Sequence, residues 1–360
     1  MGARAARPRD REAMALEAEL AEAAAHAAQG LKVHLNEDLR AEREAAQRTL
    51  PQDLQAIDTA FYRHRENGRY KLMEMLARHG AALAARILGK ASADALRFQR
   101  HVAESERYNG RSADALKRLR GIEGAFLNEF GAENHETLYF RWQIASCHQD
   151  IGDSALALKD LIPLLKDTNL IHGEDDGQTL ATRHLIASCR QDVGQSKEAL
   201  EDLMPLLEDR KQITGEEHPH TLATRYLIAS CRQDIGQSKE ALDDLVPLLQ
   251  DRRRISGEEH PDTVWTERLL AETQYAIGDT GNALIQMQAL LPRAIAATNA
   301  EHPQSLAVRT LLARLLYESG QKEAAQETFE GVLEAYNTKG ILPTHRRLRE
   351  AEEVENLLSS

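Results

Sequence analysis

The chain has 360 residues, of which 42% are hydrophobic and only 4% aromatic, and its formal net charge is −12 at pH 7. A negative charge opposes general attraction to nucleic acid or to an anionic membrane surface. No stretch approaches the ~20 apolar residues of a membrane-spanning helix, and the first residues lack the unbroken apolar core of a secretory signal. Good helix formers such as alanine, leucine and glutamate dominate the composition. We therefore expect a soluble, cytoplasmic, all-α protein without a membrane partner.

A glycine recurs every 42 residues along most of the chain, at Gly68, Gly110, Gly152, Gly194, Gly236, Gly278 and Gly320. A period between roughly 20 and 50 residues is typical of a repeat array such as a solenoid. In a solenoid each unit contacts only its neighbours, so the chain grows by adding units rather than by enlarging one core. The period predicts an array of about seven units.

The units do not all match equally well, and this divides the chain. Residues 1–50 have helical periodicity without the 42-residue register, and we interpret them as an N-terminal helical extension. Residues 51–92 form a degenerate capping repeat, with Phe61 at a position that is alanine in later units. Residues 93–343 contain six regular repeats. Residues 344–360 are predicted to form a C-terminal capping helix with a polar outer face, which a terminal repeat needs for solubility.

Each regular unit is predicted to contain two helices. In the unit from Pro219, apolar residues recur at helical intervals up to Gly236. A second amphipathic helix begins near Ser238 and ends at Gly257, where glycine supplies the left-handed conformation common at helix ends. A proline inside the second helix predicts a kink; it recurs at Pro163, Pro205 and Pro247.

Residues 222–229, the Glu240-Ala241-Leu242 triplet after Gly236 and the loop 257–261 resemble the tetratricopeptide repeats of kinesin light chains and of related bacterial proteins. The resemblance implies a right-handed superhelical α-solenoid. It also implies a small residue where the two helices of a unit approach closely, and that position is alanine in every regular unit: Ala103, Ala145, Ala187, Ala229, Ala271 and Ala313. The paired asparagines of kinesin light chains are replaced by His184-Leu185 and Tyr226-Leu227, so the cargo specificity of that family is not carried over.

Two further repeated residue types are interpreted as structural. Arginines replace the usual aromatic residues of the first helix, and we expect them to pair with acids of the second helix such as Asp202 and Asp244. Cys147, Cys189 and Cys231 are 42 residues apart, and equivalent points on neighbouring units lie about 10 Å apart. That distance is too long for a shared zinc ion or a disulfide, so these cysteines are predicted to be small buried residues.

The resemblance further implies that the first helices line a concave groove that binds a protein or peptide. Three units offer the same serine, glutamine and aspartate row, and both tryptophans fall on this face. Large aromatic residues and arginine are frequent anchors of interfaces. The candidate groove residues are Arg97, Arg100, Arg107, Tyr139, Trp142, Ser146, Gln149, His184, Ser188, Gln191, Tyr226, Ser230, Gln233, Trp265, Arg268, Tyr275, Arg314 and Tyr317.

The sequence contains no phosphate loop, dinucleotide fingerprint or zinc-protease motif, and no histidine stands at metal-ligand spacing from cysteines or carboxylates. We therefore predict a non-catalytic adaptor without a cofactor or metal. Residues 61–120 suggest another function class, because they hold 14 basic and 6 acidic residues and could bind nucleic acid or an acidic partner. A third possibility is a sensor arm that regulates another protein.

Overall fold

The computed structural model describes residues 39–359, and within this range the chain forms helices joined by turns, without a strand. The predicted all-α superhelical solenoid is confirmed. The helices are α1 (Leu39–Glu66), α2 (Tyr70–Ile87), α3 (Ala93–Tyr108), α4 (Ser112–Phe130), α5 (His135–Ile151), α6 (Ser154–His172), α7 (Gly177–Asp192), α8 (Ser196–Thr214), α9 (Pro219–Asp234), α10 (Ser238–Ile255), α11 (Pro261–Ala276), α12 (Thr280–Ala297), α13 (Pro303–Glu318), α14 (Lys322–Phe329), α15 (Val332–Thr338) and α16 (Arg346–Leu358).

The helices pack in chain order, as the repeat predicts. The odd-numbered helices from α3 to α13 are the first helices of the regular units. The even-numbered helices from α4 to α12 are the second helices of the same units. Helices α6, α8 and α10 continue through their prolines. The last unit differs, because its second helix is split into α14 and α15 around Gly331. Arg309 compensates part of this break by donating hydrogen bonds to the Thr328 and Glu330 carbonyl oxygens, at 2.9 and 2.5 Å.

The glycines at the ends of the second helices have positive φ, as predicted, but a different ψ. Gly215 has φ 95° and ψ 163°, outside the left-handed helical region and in a region that glycine alone readily adopts. Residues 1–38, most of the predicted N-terminal extension, lie outside the described residues.

The core lies between the two helices of each unit and the first helix of the next. The six alanines at the close-approach position are all buried, and so are the three cysteines, none of which forms a disulfide. Burial raises the pKa of the Cys147 and Cys231 thiols to about 12. These thiols are therefore neutral and weakly nucleophilic, and their burial agrees with the sequence prediction.

Successive turns of the superhelix touch one another. Gly68 lies against Pro261, Gly110 against Pro303 and Gly152 against His345, so the contact partners are 193 residues apart in each case. A Cβ atom added at Gly110 would lie 2.5 Å from Pro303 Cδ. At the third contact the Leu342 amide also donates to the Ile151 carbonyl, at 2.8 Å. One superhelical turn therefore takes about four and a half repeats, and its first helices surround an interior.

Histidines form part of these contacts between turns. The Nδ1 atoms of His260 and His302 accept hydrogen bonds from the backbone N–H groups of Asp262 and Gln304, at 3.2 Å each, and so cap α11 and α13. With Nδ1 accepting, Nε2 carries the proton. Nε2 then donates to the carbonyls of Glu66 and Tyr108, at 3.0 and 3.2 Å. Each imidazole thus joins a helix start to the previous superhelical turn.

Replacing Gly110 by alanine tests the contact between turns, with Gly236→Ala as the matched control. Both glycines have positive φ, 73° and 81°, so alanine strains the backbone at both by about 1–2 kcal/mol. Only at Gly110 would the methyl group also meet another turn. We expect Gly110→Ala to lower the free energy of unfolding by about 1–3 kcal/mol more than Gly236→Ala, measured by urea denaturation. Equal losses would show that the turns do not touch in solution.

His302→Asn tests the role of the neutral histidine. Burial lowers the pKa of His302 to about 4, whereas the unfolded chain titrates near 6.5. The stabilisation is therefore present above pH 6.5 and is lost as the pH falls towards 4. Asparagine retains the helix cap but does not titrate.

Between pH 7 and pH 5 we expect the wild type to lose about 2 kcal/mol more unfolding free energy than His302→Asn. Urea denaturation at the two pH values measures this difference. Parallel losses in the two proteins would contradict a neutral, buried His302.

Candidate partner-binding surface

The first helices of neighbouring units contact each other as well as their own second helices, which places them on the inner side of the curve. We call the candidate groove residues on α3, α5, α7, α9, α11 and α13 the inner surface. Arg100, Ser146, Gln191, Ser230 and Arg268 are buried, and the remaining thirteen candidates are half-buried. Since none of the eighteen is fully exposed, the surface is enclosed rather than open to solvent.

The serine, glutamine and aspartate row joins neighbouring units. Gln149 Nε2 donates to Ser188 Oγ and Asp192 Oδ2, at 2.5 and 2.8 Å. One unit later, Gln191 Nε2 donates to Ser230 Oγ and Asp234 Oδ2, at 2.7 and 2.6 Å. These hydrogen bonds use the amide nitrogens of Gln149 and Gln191, which the sequence places in the candidate groove, so these donors already have partners within the chain.

Aromatic rings and guanidinium groups stack on the inner surface of α3 and α5. Tyr139 and Trp142 lie parallel, with ring centroids 5.6 Å apart and an interplanar angle of 7°. The Arg100 guanidinium lies 4.7 Å from the Tyr139 ring, and that of Arg107 lies 5.9 Å from the Trp142 ring. We call these four residues the tryptophan cluster. The Trp142 indole N–H is buried and has no hydrogen-bond partner among the described residues.

A tyrosine pair extends this cluster towards the first units. Tyr70 and Tyr108 stack with ring centroids 4.9 Å apart, and Arg107 also lies 4.8 Å from the Tyr108 ring. Burial raises the pKa of Tyr70 well above its usual value. Both hydroxyls therefore remain protonated near neutral pH and can donate hydrogen bonds.

A second cluster surrounds Tyr226 on α9. The Arg252 guanidinium lies 5.3 Å from the Tyr226 ring centroid, and Arg268 Nη2 donates to the Tyr226 hydroxyl at 3.3 Å. Arg268 also forms an ion pair with Glu272 one helical turn later. We call Tyr226, Arg252 and Arg268 the tyrosine cluster.

Two arginines of this region, Arg210 and Arg252, are not among the residues predicted from the sequence, because they belong to second helices. Their side chains pass between consecutive first helices: Arg210 Nη1 lies 3.4 Å from His184 Nδ1, just as Arg252 reaches Tyr226. The sequence feature that could have indicated them is an arginine at a position of the repeat that belongs to the core. The same position is Phe126, Thr168 and Ala294 in other units, and Phe126 and Ala294 are fully buried.

The C-terminal helix α16 also reaches the inner surface. Arg346 forms an ion pair with Asp234 at 2.9 Å, and Arg347 forms one with Glu272 at 3.2 Å. Near this end several candidate residues have partners within the chain. Tyr275 donates to Glu318 at 2.6 Å, Arg314 pairs with Glu353 at 3.1 Å, and Trp265 stacks on His302 at 5.7 Å.

The arginines predicted to bind acids of the second helix do so. Arg190 pairs with Asp202, and Arg232 pairs with Asp244. The other arginine of each first helix pairs equally, since Arg183 meets Asp209 at 2.7 Å and Arg225 meets Asp251 at 2.7 Å. These ion pairs join the two helices of a unit.

Many cations of the basic segment 61–120 are also paired. Arg65 contacts Glu104 at 3.1 Å, and both Arg78 and Arg118 contact Glu106 at 2.8 Å. Further ion pairs of the segment include Arg97 with Glu136, Arg100 with Glu136, Arg107 with Asp150, Arg111 with Glu74 and Arg120 with Glu123. The excess positive charge of the segment is therefore largely bound to acids within the chain.

Among residues 39–359 no helix is long and apolar enough to cross a membrane. The same part of the chain contains no group of three or more histidine, cysteine, aspartate or glutamate side chains arranged to hold a metal ion.

Helix pairs in a fixed 42-residue period, with first helices facing an enclosed interior, define an α-solenoid. The family model described as tetratricopeptide repeat matches residues 178–246. The match identifies tetratricopeptide repeats in this segment, and helix pairs of the same 42-residue period continue on both sides of it. No curated protein matches the chain.

Solved structures include several similar solenoids. A kinesin-light-chain-like protein of Podospora anserina with nearly identical TPR-like repeats is 27% identical, over 56% of this chain and 95% of that one, with a TM-score of 0.42. The Rap conjugation gene regulator of plasmid pLS20, in complex with the Phr* peptide, is 11% identical over 86% and 96%, with a TM-score of 0.54. The quorum sensor NprR of B. thuringiensis, in its apo form, is 14% identical over 96% and 94%, with a TM-score of 0.53. At these identities the Rap and NprR likenesses show a shared fold.

Replacing Gln191 by alanine tests the row that joins the units. The change leaves the Ser230 hydroxyl and the Asp234 carboxylate without the amide donor that lies 2.7 and 2.6 Å away. We expect a loss of about 1–3 kcal/mol in unfolding free energy, measured by urea denaturation. Gln195→Ala, at an exposed position three residues after the helix, is the control and should change stability little. A Gln191→Ala protein as stable as the control would mean that the row does not join the units.

Proposed function

We propose that this chain is a non-catalytic binding protein that holds an extended peptide segment of a partner protein against its inner surface. The observation that carries the proposal is the enclosed surface itself, which combines aromatic faces with buried hydrogen-bond donors that have no partner within residues 39–359. Stacked tryptophan, tyrosine and arginine are the residue types that most often anchor interfaces.

The unpartnered groups indicate what the ligand offers in return. Four buried donors have no acceptor within residues 39–359: Arg100 Nε, Arg107 Nε, Trp142 Nε1 and Arg268 Nε. An unsatisfied buried polar group costs about 1–3 kcal/mol, so a ligand that supplies acceptors removes this cost on binding. Carbonyl oxygens of an extended peptide backbone recur every residue and are suitable acceptors. Because the serine and glutamine row is used within the chain, the proposal assigns the backbone contacts to arginine and tryptophan.

A regulatory role is the second candidate, and the contacts between superhelical turns favour it. A ligand in the interior lies beside segments that touch each other although they are 193 residues apart in the sequence. Binding can therefore alter the distance between the superhelical turns. The solved Rap structure holds the Phr* peptide and NprR is a quorum sensor. These relatives share the fold, and they make a regulatory form of peptide binding a reasonable second hypothesis for this chain.

Binding of nucleic acid through residues 61–120 finds less support, since many arginines of this segment already have carboxylate partners. Filter binding at low and high salt measures it directly, because phosphate contacts make affinity fall steeply with salt. We expect no binding at low salt. Salt-sensitive binding by this segment would favour the nucleic acid function instead.

The peptide-binding proposal is tested with a library of displayed peptides selected on the full chain. Selected peptides are then synthesised with acetylated and amidated ends, and their Kd values are measured by fluorescence polarisation. Trp142→Ala removes the largest ring of the tryptophan cluster, and we expect about tenfold or weaker binding, as for an anchor residue at an interface.

The control is Leu170→Ala, which removes an apolar side chain of a second helix that is 87% exposed. We expect this variant to bind as the wild type does, and both variants to keep the helical circular dichroism spectrum. Failure to select any peptide, or unchanged binding by Trp142→Ala, would contradict the proposal.

A further inference from the structure

We infer that the bound peptide carries a pair of acidic side chains, which the inner surface receives beside His184 and Tyr226. This inference rests on the proposed function and specifies the chemistry of its ligand. It is carried by two buried arginines, Arg210 and Arg252, neither of which forms an ion pair within residues 50–359.

Arg210 is 3% exposed, and its guanidinium makes hydrogen bonds only to neutral groups within residues 50–359. Its Nη1 atom donates to the His220 carbonyl at 2.8 Å and to Thr224 Oγ1 at 2.6 Å, and Nη2 donates to the Leu180 carbonyl at 3.2 Å. Within residues 50–359, no carboxylate oxygen lies within 4.0 Å of the guanidinium nitrogens of Arg210. The charge is hydrogen-bonded but not balanced.

Arg252 repeats this arrangement one unit later. It is 4% exposed, and its Nη1 atom donates to the Asp262 carbonyl and to Thr266 Oγ1, at 2.6 Å each. Its contact on the inner surface is the ring of Tyr226. Two equivalent guanidinium groups therefore lie behind equivalent positions of two consecutive first helices.

The nearby ion pairs do not neutralise these two charges. Arg268, Arg346 and Arg347 form ion pairs with Glu272, Asp234 and Glu350, and none of these carboxylates forms an ion pair with Arg210 or Arg252. Burial lowers the pKa of Arg252, and the charge of Asp262 opposes this shift without reversing it. A charge buried without a counter-charge is costly. In agreement, burial and then the charge of Arg183 lower the pKa of Arg210 to about 10.

His184 and Tyr226 are the groups that a ligand can reach. Both are half-buried, and each lies directly in front of one of the buried arginines. The Tyr226 hydroxyl accepts from Arg268, so its own proton is available for a carboxylate oxygen. A carboxylate placed here interacts with the guanidinium behind the ring in a region from which much water is excluded, where the attraction is stronger than in bulk water.

The spacing of the two positions matches an extended peptide. Equivalent residues of neighbouring first helices lie about 10 Å apart, and a strand rises about 3.3 Å per residue with alternate side chains on one face. Acidic residues two or four positions apart can therefore reach both places. Asp192 lies on the same helix as His184 but eight residues later, about 12 Å along the axis, so it does not occupy the site.

The probes are the amidated, acetylated peptides selected on the full chain, each compared with a twin in which its glutamates and aspartates are replaced by glutamine and asparagine. We expect the selected peptides to contain acidic pairs and the twins to bind about tenfold more weakly, as for loss of a hydrogen bond to a charged group. Tyr226→Phe retains the ring and should remove much of this difference. Arg252→Met should do the same if it folds, and Tyr226→Phe decides the question if it does not.

Arg141→Met is the matched control for Arg252→Met. It also removes an arginine, but Arg141 forms an ion pair with Asp167 of the second helix of its own unit. The Arg141→Met protein should prefer acidic peptides over their neutral twins as strongly as the wild type does. Peptides that bind as tightly as their neutral twins would overturn the inference but leave the proposed function standing. The selected peptides are also synthesised with a free C-terminal carboxylate, and binding by these forms alone would likewise overturn the acidic pair. If no peptide binds, the proposed function itself fails.

Discussion

The contact between a glycine turn and a histidine-bearing loop 193 residues later determines what kind of surface this chain has. A solenoid whose turns stay apart presents its first helices in an open groove. Here the turns meet at Gly68, Gly110 and Gly152, and the first helices enclose an interior. The half-burial of Tyr139, Trp142 and Tyr226 follows from this enclosure, and so does the number of buried donors that lack a partner.

Enclosure also raises the energetic weight of charge. Ion pairs between exposed side chains contribute about 0–1 kcal/mol, whereas an unpaired charge in a water-poor interior is costly. Most interior charges are paired or hydrogen-bonded: Glu104 with Arg65, Arg107 with Asp150, and Arg347 with Glu272. Against that background Arg210 and Arg252 differ from their neighbours, because their contacts stabilise the first turns of α9 and α11 without supplying an opposite charge.

The repeat period made a large part of the fold predictable. Helix pairs, the buried alanines and cysteines, and the ion pairs of Arg190 and Arg232 all follow from local periodicity, and the structure confirms them. Contact between turns was not predictable, because it depends on a small rotation between units that accumulates over more than four repeats. Arg210 was missed for a different reason: an amphipathic pattern assigns a polar residue on a second helix to solvent, whereas this side chain crosses between first helices.

The two most similar units separate shape from recognition. Residues 178–210 and 220–252 differ at six positions. Three of the six are exposed positions on the second helix in both units, such as Met204 and Val246. The most pronounced change on the inner surface replaces His184 by Tyr226, while the arginine behind each, Arg210 or Arg252, is retained. Units that share a backbone and a buried cation therefore present two different side chains to the interior. Such a surface can bind two different side chains of one ligand at successive units, while an arginine behind each position attracts negative charge in the same way.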